Sequence, residues 1–195
     1  MVKRFYNNEH ERAKWAFTQR FISKYLTKDD VVFEGFAGLG YITSLYLGKC
    51  KEIISVERDE KTYESFVHKF KHKASVIPVC ADTFHFMSIF PTNSNFIQVI
   101  DLDPWGAAKV PLIESLRILK QGYILLTNTA PYWITERNMK LTWFGIKPPL
   151  TDWHTVPDRI FNEFIKLKGS EFGKDIELLD YYGGTRICRL LMKVK

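Results

Sequence analysis

Apolar and polar positions follow two alternating regimes along the first two thirds of the chain. Unbroken apolar runs of strand length are each followed by stretches in which apolar residues return every three or four positions. Ala13, Phe17, Phe21, Ile22, Tyr25 and Leu26 share one helical face, and Asn8 with Glu11 has capping-box spacing, which predicts a helix over 8–27. Val31-Val32-Phe33 then leads through Glu34 into a glycine-rich turn and an apolar helical pattern reaching Gly48. Glu52–Glu57 reads as a second strand, with Tyr63, Phe66, Val67 and Phe70 marking the helix behind it. Ser75–Cys80 reads as a third strand, running into Ala81-Asp82-Thr83. Phe96–Asp101 reads as a fourth, followed by a helix carrying Val110, Leu112, Ile113, Leu116 and Leu119, and Gly122–Thr127 reads as a fifth. This alternation predicts a parallel α/β sheet with right-handed crossovers.

The pattern then breaks. Residues 129–155 are rich in Pro, aromatic and basic residues without sustained periodicity, which is the composition of a lid inserted in a domain. Ile160, Phe161, Phe164 and Ile165 mark one more helix. Ile176–Tyr182 and Arg186–Val194 then read as two strands joined at Gly183-Gly184, the last of them antiparallel. The 195 residues show no internal repeat or boundary and read as a single domain.

Composition narrows the setting. Hydrophobic content is 46%, no apolar run approaches the ~20 residues of a membrane span, and the N-terminus lacks the apolar core of a signal peptide. The three cysteines are far apart, without metal-ligand spacing, which points to reduced thiols in a cytoplasmic protein and to no metal. A net charge of +6 favours a polyanionic partner such as nucleic acid.

The candidate chemistry begins at the first strand. Gly35, Gly38 and Gly40 allow a sharp turn and close approach of a ligand to main chain. A dinucleotide-binding turn would need a further glycine where Thr43 stands, and a P-loop would need Gly-Lys-Ser/Thr. An acidic residue followed by G-x-x-G-x-G instead resembles motif I of class I S-adenosylmethionine-dependent methyltransferases. That resemblance implies a Rossmann-like fold, with a mostly parallel seven-stranded sheet, an antiparallel last strand and helices on both faces. It also implies a cofactor site at the carboxyl ends of the strands. There Glu34, with Gly35 and Gly40, would shape the loop or meet the cationic end of the cofactor. Phe36, Ala37 and Gly38 would offer main-chain contacts. Glu57, with Arg58 beside it, would take the ribose hydroxyls, Asp82 and Thr83 the adenine, and Asp101 would lie deeper in the same site.

At the fourth strand, Asp101-Leu102-Asp103-Pro104-Trp105-Gly106 resembles motif IV of amino-methylating enzymes, usually (D/N)-P-P-(Y/F). An exocyclic base nitrogen is a poor nucleophile because its lone pair is delocalised into the ring. Asp103 and the Pro104 carbonyl would accept its two N–H bonds and turn the lone pair toward the methyl donor. Trp105 would stack on the base, a contact worth about 1–3 kcal/mol.

The same run is similar to the D-(I/L)-D-P-(F/Y)-G of the tRNA (guanine-N2)-dimethyltransferase family. Gly122–Thr129 resembles that family's fifth strand, and Phe5-Tyr6-Asn7 its N-terminal Phe-Tyr-Asn-Pro, with Asn8 in place of the Pro. The likeness covers the methyltransferase core and not that family's large C-terminal domain, which implies a protein partner or a second copy for substrate recognition. The implied substrate is RNA, gripped by Arg137, Lys140, Trp143 and Lys147 of the lid, while the basic run His68–Lys73 reads as a solvated helix end. A DNA adenine or cytosine amino-methyltransferase and a non-catalytic cofactor- or RNA-binding module are the alternatives.

Overall fold

The computed structural model describes residues 9–104, 108–129, 144–146, 155–183 and 187–195. Strands β1 (Val31–Gly35) and β4 (Val99–Leu102) are buried along their whole length. Their apolar residues, broken by Glu34 and Asp101 whose carboxylates are hydrogen-bonded, suit strands covered on both faces. β1 pairs in parallel with both β4 and β2 (Glu52–Glu57), β2 with β3 (Val76–Cys80), and β4 with β5 (Gly122–Thr129). The last two strands, β6 (Ile176–Gly183) and β7 (Ile187–Val194), form an antiparallel hairpin. β7 slots between β5 and β6, so the sheet runs β3-β2-β1-β4-β5-β7-β6. It pairs antiparallel with β5 in a register that places Leu190 opposite Leu126 and Arg189 opposite Thr127.

Each face of this sheet carries a core, as the two-residue period of strands requires. On one face Val32, Val99, Leu125 and Leu191 pack beneath Phe17 and Phe21 of α1 (Glu9–Tyr25), Tyr46 of α2 (Tyr41–Tyr46), and Phe66 and Phe70 of α3 (Glu60–Phe70). On the other, Phe33, Ile100, Leu126 and Leu190 meet Met87 of α4 (Thr83–Ser88) and Leu112 and Leu116 of α5 (Lys109–Ile118). The same core takes in Phe164, from a π-helical stretch (Phe161–Ile165) between α6 (Thr155–Ile160) and α7 (Lys166–Glu171).

The predicted elements are present with shifted ends. α1 stops at Tyr25 rather than 27, and the fourth strand covers Val99–Leu102, leaving Phe96 exposed ahead of it. α4, a helix of six residues, has too few turns to show a period in the sequence. Of the predicted lid, Phe144 is described: it is buried against the Phe164 ring, 5.0 Å between centroids, and so packs the core rather than facing a substrate. Arg137, Lys140, Trp143 and Lys147 lie outside the described residues, as do Trp105, Asn8 and the Phe5-Tyr6-Asn7 run. No helix among the described residues is long and apolar enough to cross a membrane.

Candidate active site

Strand order reverses at the β1–β4 boundary, with β2 leaving to one side and β5 to the other. The loops after β1 and β4 therefore diverge, and a crevice opens at the carboxyl ends of the strands. The cleft found there is about 430 Å³ and is walled by Glu34, Phe36, Glu57, Asp82, Asp101 and Asp103, together with Pro104 and part of α1. Residues predicted from four separate strand ends are thus brought together.

The loop after β1 is held in an uncommon conformation. Phe36 has φ 65°, and Gly38 and Gly40 have φ 55° and 68°. A non-glycine residue held there costs on the order of 1–3 kcal/mol, a strain concentrated at functional sites. At Gly40 any side chain is excluded twice over, because a Cβ would also lie 2.2 Å from the Phe70 ring. Behind the loop, Lys69 Nζ donates to the Leu39 and Gly40 carbonyls at 3.1 and 3.0 Å and lies 4.8 Å from the Tyr41 ring centroid. Lys69 stays exposed at the helix end, as predicted, but also ties α3 to the loop, and partial burial lowers its pKa.

The loop was expected to offer main-chain contacts to the cofactor, and four of its amides are engaged within the protein. The N–H groups of Phe36, Ala37, Gly38 and Gly40 donate to Thr83 Oγ1, the Val56 carbonyl, Glu57 Oε2 and the Ala37 carbonyl, respectively. A ligand would meet this loop through its carbonyls, or by replacing Glu57 at Gly38. The other Glu57 oxygen accepts from Asp59 N at 2.8 Å. A carboxylate has about four lone-pair sites, so two remain for hydroxyl donors.

Asp82 caps α4 by accepting from His85 N at 3.1 Å. Its second oxygen lies 3.5 Å from Arg58, whose side chain is 79% exposed at the rim of the cleft. Such a pair contributes little. Thr83 is buried, and its methyl would lie 2.7 Å from a Cβ at Gly35, so the glycine there permits close packing of α4 on β1.

Glu34 is buried at the base of the cleft and accepts from Thr43 Oγ1 at 2.5 Å and Ser55 Oγ at 2.9 Å. Thr43, which occupies the place of a dinucleotide-site glycine, thus serves as a hydrogen-bond donor. Burial pushes the Glu34 pKa up to about 8, against both hydroxyl bonds and with help from Asp101. The folded protein consequently keeps a proton that the unfolded chain, with a carboxyl near 4.5, releases. This group's contribution to stability should be full below about 4.5 and lost as pH rises toward 8. Glu34→Gln, which keeps an acceptor for both hydroxyls, should flatten that decline. Urea midpoints of wild type and variant between pH 5 and 8.5 measure it, and parallel curves would disprove the assignment.

Asp101 and Asp103 point to the same side of the sheet but have different partners. Asp101 accepts from Arg189 Nη2 at 2.8 Å on each oxygen and from the Tyr46 hydroxyl at 2.7 Å. Arg189, from β7, is 0% exposed and also donates to the Thr127 and Thr18 hydroxyls. Asp101 lines the cleft, yet this set of donors makes it a structural anchor first. Asp103 accepts from Lys14 Nζ of α1 at 2.6 Å and is hydrogen-bonded by Thr127. Burial raises its pKa, but Lys14 and then Arg189 outweigh burial and hold it below the ordinary carboxyl range. Pro104 follows, buried. Arg189, Lys14 and Trp15 of the cleft were not singled out from the sequence: Arg189 reads as one more strand residue and α1 as a packing helix. Only the 3–4 spacing of Glu11, Lys14, Trp15 and Thr18 could have signalled a polar face.

A parallel sheet with an antiparallel β7 before the edge strand, and a cleft at the β1–β4 switch, define the class I S-adenosylmethionine-dependent methyltransferase fold. In sequence, no protein-family model matches the chain, and no curated protein matches it either. In structure it is similar to Trm1 from Pyrococcus horikoshii in complex with S-adenosyl-L-methionine, with a TM-score of 0.75 and 17% identity over 92% of this chain and 53% of that one. It is also similar to P. horikoshii TYW2 in complex with MeSAdo, with a TM-score of 0.65 and 20% identity over 91% and 61% of the two chains. A third likeness is to the M. jannaschii tRNA m1G37 methyltransferase, with a TM-score of 0.60 and 17% identity over 92% and 49%. The chain thus spans roughly half to three fifths of the length of these proteins, and the likeness is one of fold.

Proposed function

We propose that the chain is an S-adenosylmethionine-dependent N-methyltransferase acting on the exocyclic amine of a nucleic-acid base, guanine N2 in RNA first. The observation that carries this reading is that Asp103-Pro104 and the Glu34–Gly40 loop open into one cleft, so an amine and a methyl donor can meet there. The walls fit the cofactor chemically. Glu57, Asp82 and Asp103 line the crevice as carboxylates, beside a Glu34 that keeps its proton, in a protein of net charge +6. An acidic cleft in a basic protein suits a ligand with a sulfonium and an ammonium group presented beside a polyanion.

The cofactor, when bound, supplies an electrophilic methyl group. Asp103 and the Pro104 carbonyl would accept hydrogen bonds from the two amine N–H groups and orient the nitrogen lone pair. The carbon–nitrogen bond would form as the carbon–sulfur bond breaks, with a neutral thioether leaving and the nitrogen's surplus proton passing to solvent. Most of the acceleration would come from this alignment and its electrostatics. Glu57 accepts from the ribose hydroxyls and Asp82 from the adenine amine, beside its helix cap. Trp105 would stack on the base, Arg137, Lys140 and Lys147 would hold the RNA backbone, and Trp143 would contact a base. The choice of RNA draws on the m1G37 enzyme, a tRNA methyltransferase of the same fold. A target base must leave its stack to reach such a cleft, which favours loops and single strands.

Methyl transfer from labelled cofactor to bulk tRNA, rRNA and DNA, followed by nucleoside analysis, tests the reading. N2-methylguanosine is expected. Methylated adenine or cytosine in DNA would redirect it to the DNA enzymes, methylation at guanine N1 would rule out the exocyclic amine as the target, and cofactor binding without transfer would leave a binding module. Cofactor binding itself should depend on Glu57. Removing its carboxylate leaves the ribose hydroxyls without their acceptor, a loss of about 1.5–3 kcal/mol for charge-assisted bonds. Calorimetry showing unchanged S-adenosylmethionine affinity in folded Glu57→Ala would refute the assignment.

A further inference from the structure

The packing face of α1, Phe17 and Phe21, accounts for its place on the sheet. Its other face is unexplained by packing. Glu11, Lys14 and Trp15 line the cleft, and Trp15 is 38% exposed there. Lys14 lies 89 residues from Asp103 in sequence, yet its Nζ stands 2.6 Å from Asp103 Oδ2 with Glu11 at 3.1 Å on its other side. The Lys14 and Asp103 side chains are 11% and 24% exposed, so the pair sits inside the cleft wall rather than on the surface.

We propose that Lys14 is a positioning residue of the active site, acting through Asp103 to hold its carboxylate as a fixed, acceptor-only group facing the target amine. The proposal rests on the reading of the cleft as an amine methyltransferase site. A protonated Asp103 would present an O–H donor toward an amine that needs acceptors, and a carboxylate free to rotate would lose the alignment on which the rate depends. The groups facing Asp103 are Lys14 from α1, with Glu11 beside it, Arg189 from β7, the Thr127 hydroxyl from β5 and Asp101 from β4. Without Lys14, only Arg189 and the Thr127 hydroxyl oppose burial, and Arg189 is already shared with Asp101.

A purely structural ion pair would change stability and leave the pH dependence of the chemical step alone. Single-turnover methyl transfer by cofactor-saturated wild type, Lys14→Met and Lys14→Arg, measured across pH, therefore separates the two. Lys14→Met should move the acid limb up by about one to three pH units, the range expected for losing an adjacent opposite charge. Lys14→Arg should restore the limb. An acid limb in folded Lys14→Met that coincides with wild type overturns the proposal. Should Lys14→Met fail to fold, carbon-13 NMR of the wild-type Asp103 carboxyl, assigned with Asp103→Asn, decides the matter. Its midpoint should lie below the ordinary carboxyl range, and a midpoint within or above that range overturns the proposal. That titration needs no substrate. Absence of methyl transfer by wild type on any nucleic acid would instead sink the reading of the cleft, and the NMR result would still report on the pair.

Discussion

Asp103→Ala is expected to bind S-adenosylmethionine as wild type does and to lose methyl transfer by about 10²–10³-fold, the effect of deleting one preorganised electrostatic partner of a reacting group. Asp103→Asn should be less damaging, because its amide oxygen still accepts a hydrogen bond while lacking the charge that stabilises the developing cationic nitrogen. A loss of stability does not distinguish this catalytic reading from a structural one. Asp103→Ala leaves the Lys14 ammonium, only 11% exposed, with Glu11 as its remaining carboxylate. Removing one partner of a fully buried pair costs about 3–5 kcal/mol, and the partial exposure of Asp103 places this case below that. Rates must therefore be taken as single turnovers per folded, cofactor-saturated molecule. Full activity in Asp103→Ala would eliminate the amine-methylation mechanism.

Asp101→Ala should act on the fold before it acts on the rate. It strands the Arg189 guanidinium in the core, where both side chains of the pair are within 1% of full burial, and it leaves the Tyr46 hydroxyl without its acceptor. A destabilisation of about 3–5 kcal/mol is expected from urea unfolding. Replacing both members, as Asp101→Leu with Arg189→Met, should recover part of it, since neither charge is then left buried alone. A single Asp101→Ala that loses less than about 1 kcal/mol would show the pair to be dispensable. Asp101 and Asp103 thus form an internal comparison: two carboxylates two residues apart, one on β4 and expected to report on stability, the other just beyond its end and expected to report chiefly on turnover.

Both contrasts arise from how the β7 hairpin and α1 close over the sheet. Arg189 enters from β7 and Lys14 from α1, and together they counter the carboxylates that β4 places at the switch point. Glu34 is left without a direct cation in this network and so keeps a proton that Asp103 gives up.

What local sequence carries is periodicity and punctuation. Strand-length apolar runs at 31–33 and 123–126, helical returns at 63–70, and turns at Gly35–Gly40 and Gly183 are short-range signals, and the sheet follows them. Carboxylates at strand tips were legible for the same reason, since parallel strands bring their carboxyl ends to one edge, so Glu34, Glu57, Asp82 and Asp103 had to converge. Which groups those carboxylates would meet was not legible. Arg189 and Asp101 are 88 residues apart and Lys14 and Asp103 89, and such pairings depend on a hairpin inserting β7 beside β5 and on the angle at which α1 crosses the sheet. No period or motif encodes either. The loop amides show the same limit: their glycines announced a ligand-approaching turn, but their engagement with Glu57, Val56 and Thr83 arises from β2 and α4 folding against it. Residue type and spacing thus decide where polar groups gather, and long-range packing decides which of them are satisfied by the protein and which face the cleft.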